Sequence, residues 1–181
     1  SRDKNAHGLS NLVNSLIGEG TKKMSANDIA DKFSSVGAQF SSFDDRDKST
    51  FSLTTLTQAS YFKKSIKTFV QVVSQPVFST ETISRIKNQI KTSLQLQKQS
   101  PNATAQRALY KTLFRNSVYA HPVLGTDASV GKLSREQVLE FYHKYYVAKN
   151  AVLVMVGNLS LKQAHVLSKK ISQAFLPGHS A

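Results

Sequence analysis

The sequence predicts an α+β fold, a mostly antiparallel sheet with helices packed on it. Three observations predict it. Apolar residues recur at three- and four-residue spacing over most of the chain, the mark of amphipathic helices. Two short runs rich in Ser, Thr and Phe flank a polar loop early in the chain, as in a β-hairpin. One continuous apolar run, Ala151 to Val156, stands late and has the pattern of a buried strand. Strands and helices do not alternate one by one, so a regular parallel βαβ array is not indicated.

The elements follow in order. Leu9, Leu12, Val13, Leu16 and Ile17 form one helical face, and Gly18 and Gly20 stop that helix. Asn11, Asn14 and Ser15 sit together on another side of it, at i, i+3 and i+4. They are either a solvated face or a site. Ser25 followed by Asp28 is a capping-box signature for a helix through Phe33 and Val36, ended by Gly37. Ala38 to Phe43 reads as a strand, Asp44 to Lys48 as a hairpin loop and Ser49 to Thr57 as the returning strand. Helices are expected over 60–74, where Pro76 ends the pattern, over 80–98, and from Pro101 to about Asn116. His121 to Thr126 reads as irregular. Ser134 to Gln137 opens a helix through Tyr145, and a last helix carries Ala164, Leu167, Ile171 and Phe175. Three strands are few for so many amphipathic helices, so at least one further strand is expected upstream of Ser1. One domain is expected over 1–176, with Leu176-Pro177-Gly178 opening a linker over 177–181.

Composition narrows the function. The chain has 181 residues, of which 40% are hydrophobic, enough for a real core. It contains no cysteine, which excludes disulfides, thiolate metal ligation and thiol catalysis. No apolar run reaches the roughly 18 residues of a membrane span. Lys and Arg total 24 against 11 Asp and Glu, a net charge of +13. That excess admits a basic binding module for nucleic acid or an anionic surface. The densest patches, Lys63-Lys64-Lys67 and Arg85-Lys87-Lys91, lie on polar helix faces without interleaved aromatics, so they read more simply as solvated surface.

Catalytic motifs are scarce. No phosphate-binding loop, dinucleotide fingerprint or nucleophile elbow is present. No two of His7, His121, His143, His165 and His179 lie three to five residues apart, as a metal pair on one helix requires. Asp44, Asp45 and Asp47 read as polar loop residues. The glycosylation triplets at Asn102 and Asn158 are expected by chance in a chain this rich in Ser and Thr.

The order of motifs nevertheless resembles a known family. "GLSNLVNSLIGEGT", "SANDIADKFSSVGAQFSS" and "STFSLTTLT" are similar to the opening of pitrilysin/insulinase-type (inverzincin) zinc metallopeptidases. "HPVLGT" and "FYHKYYVAKNAVLVMVGNLS" resemble later signatures of the same family, so the resemblance spans nearly the whole chain. It implies a ferredoxin-like-derived metallopeptidase fold whose first strands precede the Gly-Leu helix. Active members carry His-x-x-Glu-His on that helix. Laid on this motif, the two metal-binding histidines correspond to Asn11 and Ser15, and the general-base glutamate to Asn14. The third ligand, a glutamate on a later long helix, falls at Thr92, and no acid stands between Glu81 and Asp127.

Zinc in a three-ligand catalytic site needs imidazole or carboxylate donors, and the base must be able to accept a proton. Amides and hydroxyls supply neither. The resemblance therefore implies a non-catalytic member with no metal, no cofactor and a degenerate site at Asn11, Asn14, Ser15 and Thr92. Its implied partner is an active zinc-peptidase subunit or domain of the same family, together closing a chamber around a peptide. The strand Ala38, Gln39, Phe40, Ser41, Ser42 and Phe43 matches the edge that docks extended peptide in active members; here it is either an ordinary structural strand, the simpler reading, or a retained peptide-docking edge. No nucleic-acid partner is expected, and a fragment with an open sheet edge is expected to self-associate. The wording of the late motif resembles bacterial members; the resemblance leaves the location unknown, and periplasmic or otherwise exported if the chain is bacterial.

Overall fold

The computed structural model describes residues 6–178. It is a mixed α+β structure in which helices dominate and the sheets are short antiparallel ribbons. In chain order these are α1 (Leu9–Leu16), β1 (Gly20–Thr21), β2 (Met24–Ser25), α2 (Ala26–Ser34), β3 (Gln39–Asp44), β4 (Ser49–Thr54), α3 (Ala59–Ser74), α4 (Thr80–Lys98), α5 (Pro101–Phe114), α6 (Asp127–Lys132), α7 (Arg135–Tyr145) and α8 (Leu161–Ser172). Among the described residues β1 pairs with β2, and β3 with β4. No described helix is long and apolar enough to cross a membrane.

The caps explain most of the boundaries. Ser25 accepts from the Asp28 backbone N–H, while Asp28 Oδ2 accepts from the Ser25 N–H at 2.9 Å. The bond from the Ser25 N–H holds the Asp28 carboxyl below the usual carboxylate range. Ser79 and Ser100 cap α4 and α5 with one bond each, their side chains accepting from the Thr82 and Ala103 N–H, and Pro101 takes the first turn of α5, where a missing N–H costs nothing. The strand after α2 begins one residue later than expected, because the Ala38 N–H is spent on the Phe33 carbonyl at 2.9 Å. Gly37, at φ 61°, makes this helix-ending turn.

The chain divides into two compact units. The first is built from segments 1–17, 42–51 and 78–139. Here α1 and α6 both pack on α4, whose buried stripe is Ile83, Ile86, Ile90 and Leu94. Lys87 Nζ donates to the Gly131 and Leu133 carbonyls at 2.8 and 2.9 Å, closing the end of α6. Burial, and then the nearby Lys91, lowers the Lys87 pKa. Arg135 Nε donates to the Phe78 carbonyl at 2.7 Å. The short helix α6 was not anticipated in the sequence. Its six residues are too few for periodicity to register, although Thr126 and Ser129 form a capping box.

The second unit comprises 18–41, 52–77 and 140–181. Its α2 packs on α3, with Phe40 stacked on Phe33 and edge-on to Phe69. Tyr142 is buried and donates to the Val73 carbonyl at 2.8 Å, and burial pushes its pKa up. Residues 179–181 of the expected linker, His179 among them, lie outside the described residues.

One expectation fails. Ala151 to Val156 is not a strand, and it is not buried. Val152, Val154 and Val156 are 91%, 76% and 94% exposed. An apolar β-branched run favours an extended backbone, but a strand exists only where a neighbour takes its hydrogen bonds. Among the described residues nothing pairs with this run; the bridge closest to it is Val147 with Leu176. Such a segment is a template for pairing with another chain. The 181-residue chain is expected to self-associate, and Val154→Lys to shift it toward monomer in sedimentation velocity. An unchanged distribution would show that the segment is not the contact.

Candidate functional site

The approach to α1 is fixed by two crossing backbones in the first unit. Gly8, at φ 93°, caps the helix, and a Cβ there would meet the Leu124 carbonyl oxygen at 2.7 Å. Gly125, at φ 72°, lies as close to the His7 carbonyl, so neither position admits a side chain. Ser129 Oγ donates to that His7 carbonyl at 2.8 Å. The His7 and His121 rings stack at 3.8 Å, and burial, then the His7 neighbour, lowers the His121 pKa. The Gly-Leu and His-Pro-x-x-Gly-Thr motifs, more than a hundred residues apart in the chain, are thus parts of one clasp.

Helix α1 itself is buried almost all round. Leu12, Val13 and Leu16 are fully covered. So is Asn14, at 2% exposure, which removes the solvated-face reading of the polar cluster. Its Nδ2 donates to the Phe43 carbonyl on β3 at 3.3 Å. One turn earlier, Ser10 donates to Asp44 Oδ1 at 3.0 Å, and Ser49 of β4 also donates to that carboxylate. Two side chains of α1 therefore tie the helix to adjacent positions of one strand. The Asn11 Oδ1 atom is buried and has no hydrogen-bond partner among the described residues. Ser15 is half-buried beside it on the helix.

Thr92 is placed differently. It lies on α4, which packs against α1, but it is exposed, and its hydroxyl donates to the Asn88 carbonyl one turn back at 3.1 Å. Two residues from both Ile90 and Leu94, it points away from the buried stripe of its helix. The structure thus gathers Asn11, Asn14 and Ser15 on one buried helix and leaves Thr92 on a solvated face. Among the described residues no three His, Cys, Asp or Glu side chains converge.

The six residues expected as a peptide edge also divide. Ala38 is buried and belongs to the turn that ends α2. Gln39 to Phe43 are strand, with Gln39, Ser41 and Phe43 exposed and Phe40 packed among aromatics. The sequence reading missed Asp44 and Ser10. Asp44 was assigned to the loop, whereas it is the last residue of β3 and only 9% exposed. A serine one position before Asn11 was the one available signal.

Chemically, the α1 cluster can donate and accept hydrogen bonds but cannot carry charge. Removing the amide donor of Asn14 would strand a carbonyl. Asn14→Leu is therefore expected to cost about 1–3 kcal/mol in urea unfolding, the penalty of an unsatisfied buried polar group. Asn11→Leu, which removes an unpartnered oxygen, is expected to be neutral or stabilising by the same measurement. The opposite order would show that the burial of Asn14 is incidental.

Comparison with known proteins agrees with this geometry. Residues 1–127 match the insulinase family, peptidase family M16, and residues 132–177 match the peptidase M16 inactive domain. The chain is 26% identical to a non-peptidase homolog, YmxG, of Helicobacter pylori, over 97% of this chain and 40% of that protein. It is 25% identical to the mitochondrial cytochrome b-c1 complex subunit 1 of Bos taurus, over 91% of this chain and 34% of that one. Among solved structures, a peptidase M16 inactive domain from Pseudomonas fluorescens superposes with a TM-score of 0.96 and 32% identity, covering 99% of this chain and 44% of that one. The chain spans less than half the length of each of these relatives. Since the family match takes in α1, the β3–β4 hairpin, α4 and α5, this chain belongs to the insulinase family of peptidases, M16.

Proposed function

We propose that this chain is a non-catalytic peptidase-like domain that pairs with an active zinc peptidase subunit or domain of its family and helps enclose peptide. The observation that carries the reading is Asn14. Asn14, which the resemblance aligns with the family's general base, is a buried amide engaged through its donor with the Phe43 carbonyl. An amide nitrogen already donating a proton cannot take one from water. Asn11 and Ser15 offer neutral oxygens where the family uses imidazole, and such donors bind zinc poorly. The match to the inactive domain and the likeness to a non-peptidase homolog support the same reading.

The partner reading rests on length and chemistry. The chain spans 40% and 34% of relatives named as a non-peptidase homolog and as a subunit of a respiratory complex, so it corresponds to one part of a larger assembly. A retained role in peptide docking would fall to Gln39–Phe43, where Phe43 is 63% exposed and its carbonyl is anchored by α1. The side chains of Gln39 and Ser41 share that exposed face. Backbone pairing on such a strand needs no catalytic group.

The direct test is reconstitution. A relative from the same organism with an intact His-x-x-Glu-His should co-elute with the protein on size exclusion, and peptide hydrolysis should require both. Hydrolysis by this chain alone, or an active relative indifferent to it, would overturn the reading.

A second test addresses the lost site. Asn11→His, Asn14→Glu and Ser15→His together supply two imidazoles and a base. They also place a carboxylate against the Phe43 carbonyl. This triple variant is expected to be less stable and to bind zinc weakly. Thr92→Glu, added on the solvated face of α4, should leave zinc affinity in a calorimetric titration unchanged. Tighter zinc would mean that residue 92 turns toward α1 when a metal is bound.

A further inference from the structure

We propose that the outward side of α5 is a docking surface for an acidic amphipathic helix of a partner protein. This inference stands apart from the proposed function and does not require a peptidase partner.

Helix α5 has 14 residues and not one is buried. Its inner side is accounted for. Tyr110 lies under the Arg46 guanidinium at 3.9 Å and against Phe114, which meets Tyr119. Arg46 Nε donates to the Tyr119 carbonyl at 3.2 Å, and the Tyr119 hydroxyl donates to Asp47 at 2.5 Å. These contacts pin one side of α5 to the hairpin turn and leave the rest open.

At 100° per residue the open side has three strips. Leu109 and Leu113, one turn apart, form the first and are 60% and 67% exposed. Arg107 and Lys111, also one turn apart, form the opposite flank and are exposed. Between them run Ala105, Ala108 and Thr112, small and exposed. A helix this short is marginal in water, and its two leucines leave most of their surface exposed. The small central strip lets a second helix approach closely. Its apolar stripe would then cover Leu109 and Leu113, while its acids would meet Arg107 and Lys111.

Charge selects the occupant. The charged residues of α5 are both basic, Arg107 and Lys111, and the helix carries no acid. A basic partner would be repelled by this pair, and an acidic one is drawn to it. A membrane is the weaker fit, since the open side of α5 presents no Trp, Tyr or Phe to anchor at an interface. Nucleic acid would leave the leucines uncovered and lacks an aromatic platform there.

The test uses the full chain and a labelled synthetic helix of Glu and Leu in an i, i+4 repeat, followed by fluorescence anisotropy at physiological salt. Leu109→Ser/Leu113→Ser and Arg107→Glu/Lys111→Glu should each weaken binding about tenfold or more. The control Lys63→Glu/Lys67→Glu, two exposed lysines on α3, should change it by less than about twofold, as expected of a surface charge pair outside the docking helix. Circular dichroism checks that helix content is unchanged; all six substituted residues are exposed. A Lys and Leu helix of the same pattern should not bind. The proposal is overturned if the control weakens binding as much as the α5 variants, or if the Lys and Leu helix binds equally. It is also overturned if phosphatidylglycerol vesicles bind with the same dependence on the two α5 pairs while the Glu and Leu helix does not.

Discussion

The burial of α1 is the constraint on which the first unit depends. Eight residues long, the helix presents Leu9, Leu12, Val13 and Leu16 to the interior and has almost no exposed side left for polar groups. Every polar side chain on it must therefore find a partner or pay for its burial. Ser10 and Asn14 find theirs on the β3–β4 hairpin, in Asp44 and the Phe43 carbonyl. The helix can enter this position only because Gly8 and Gly125 let two backbones cross without side chains between them. Replacing either glycine would displace the helix and, with it, the strand it holds.

Under the proposed function, that constraint sets what loss of a metal site entails. Buried carboxylates and imidazoles gathered without an ion would leave charge in a low-dielectric interior. Neutral residues of similar reach remove the charge and keep the hydrogen-bonding. Asn14 does this fully, since its amide reaches a backbone carbonyl. Asn11 does it in part, since one of its atoms remains buried and unpartnered. Thr92 lies outside the problem, because an exposed threonine bonded to its own helix needs no charge to balance.

Much of this was legible in the sequence, for identifiable reasons. Caps are local chemistry, so Ser25 and Ser134 announce their helices whatever surrounds them. The stripe Ile83, Ile86, Ile90 and Leu94 fixes both the extent and the inward face of α4. The Gly-Leu, Gly-Ala and His-Pro motifs identified the family. What failed was non-local. Ala151 to Val156 has the composition of a central strand, but pairing depends on a neighbour that no property of those six residues can supply. The burial of Asn14 was equally out of reach, because three small polar residues on one turn look alike whether water or a strand lies opposite them.

The same limit applies to charge. A net +13 spread over the chain gives no direction, and in sequence the Lys63 and Arg85 patches look denser than anything on α5. Density along the chain is the wrong measure. Lysines on α3 stand over a helix whose apolar face is already satisfied within its own unit by Ile66, Phe69, Val72 and Val73. On α5 the cations flank a helix with no fully buried residue, beside leucines that face water. A charge acquires direction when it borders apolar surface still to be covered, because the hydrophobic term then supplies the free energy and the charge selects the partner. The fold, by showing which helix is left unburied, converts an undirected excess of positive charge into one surface with a preferred partner chemistry.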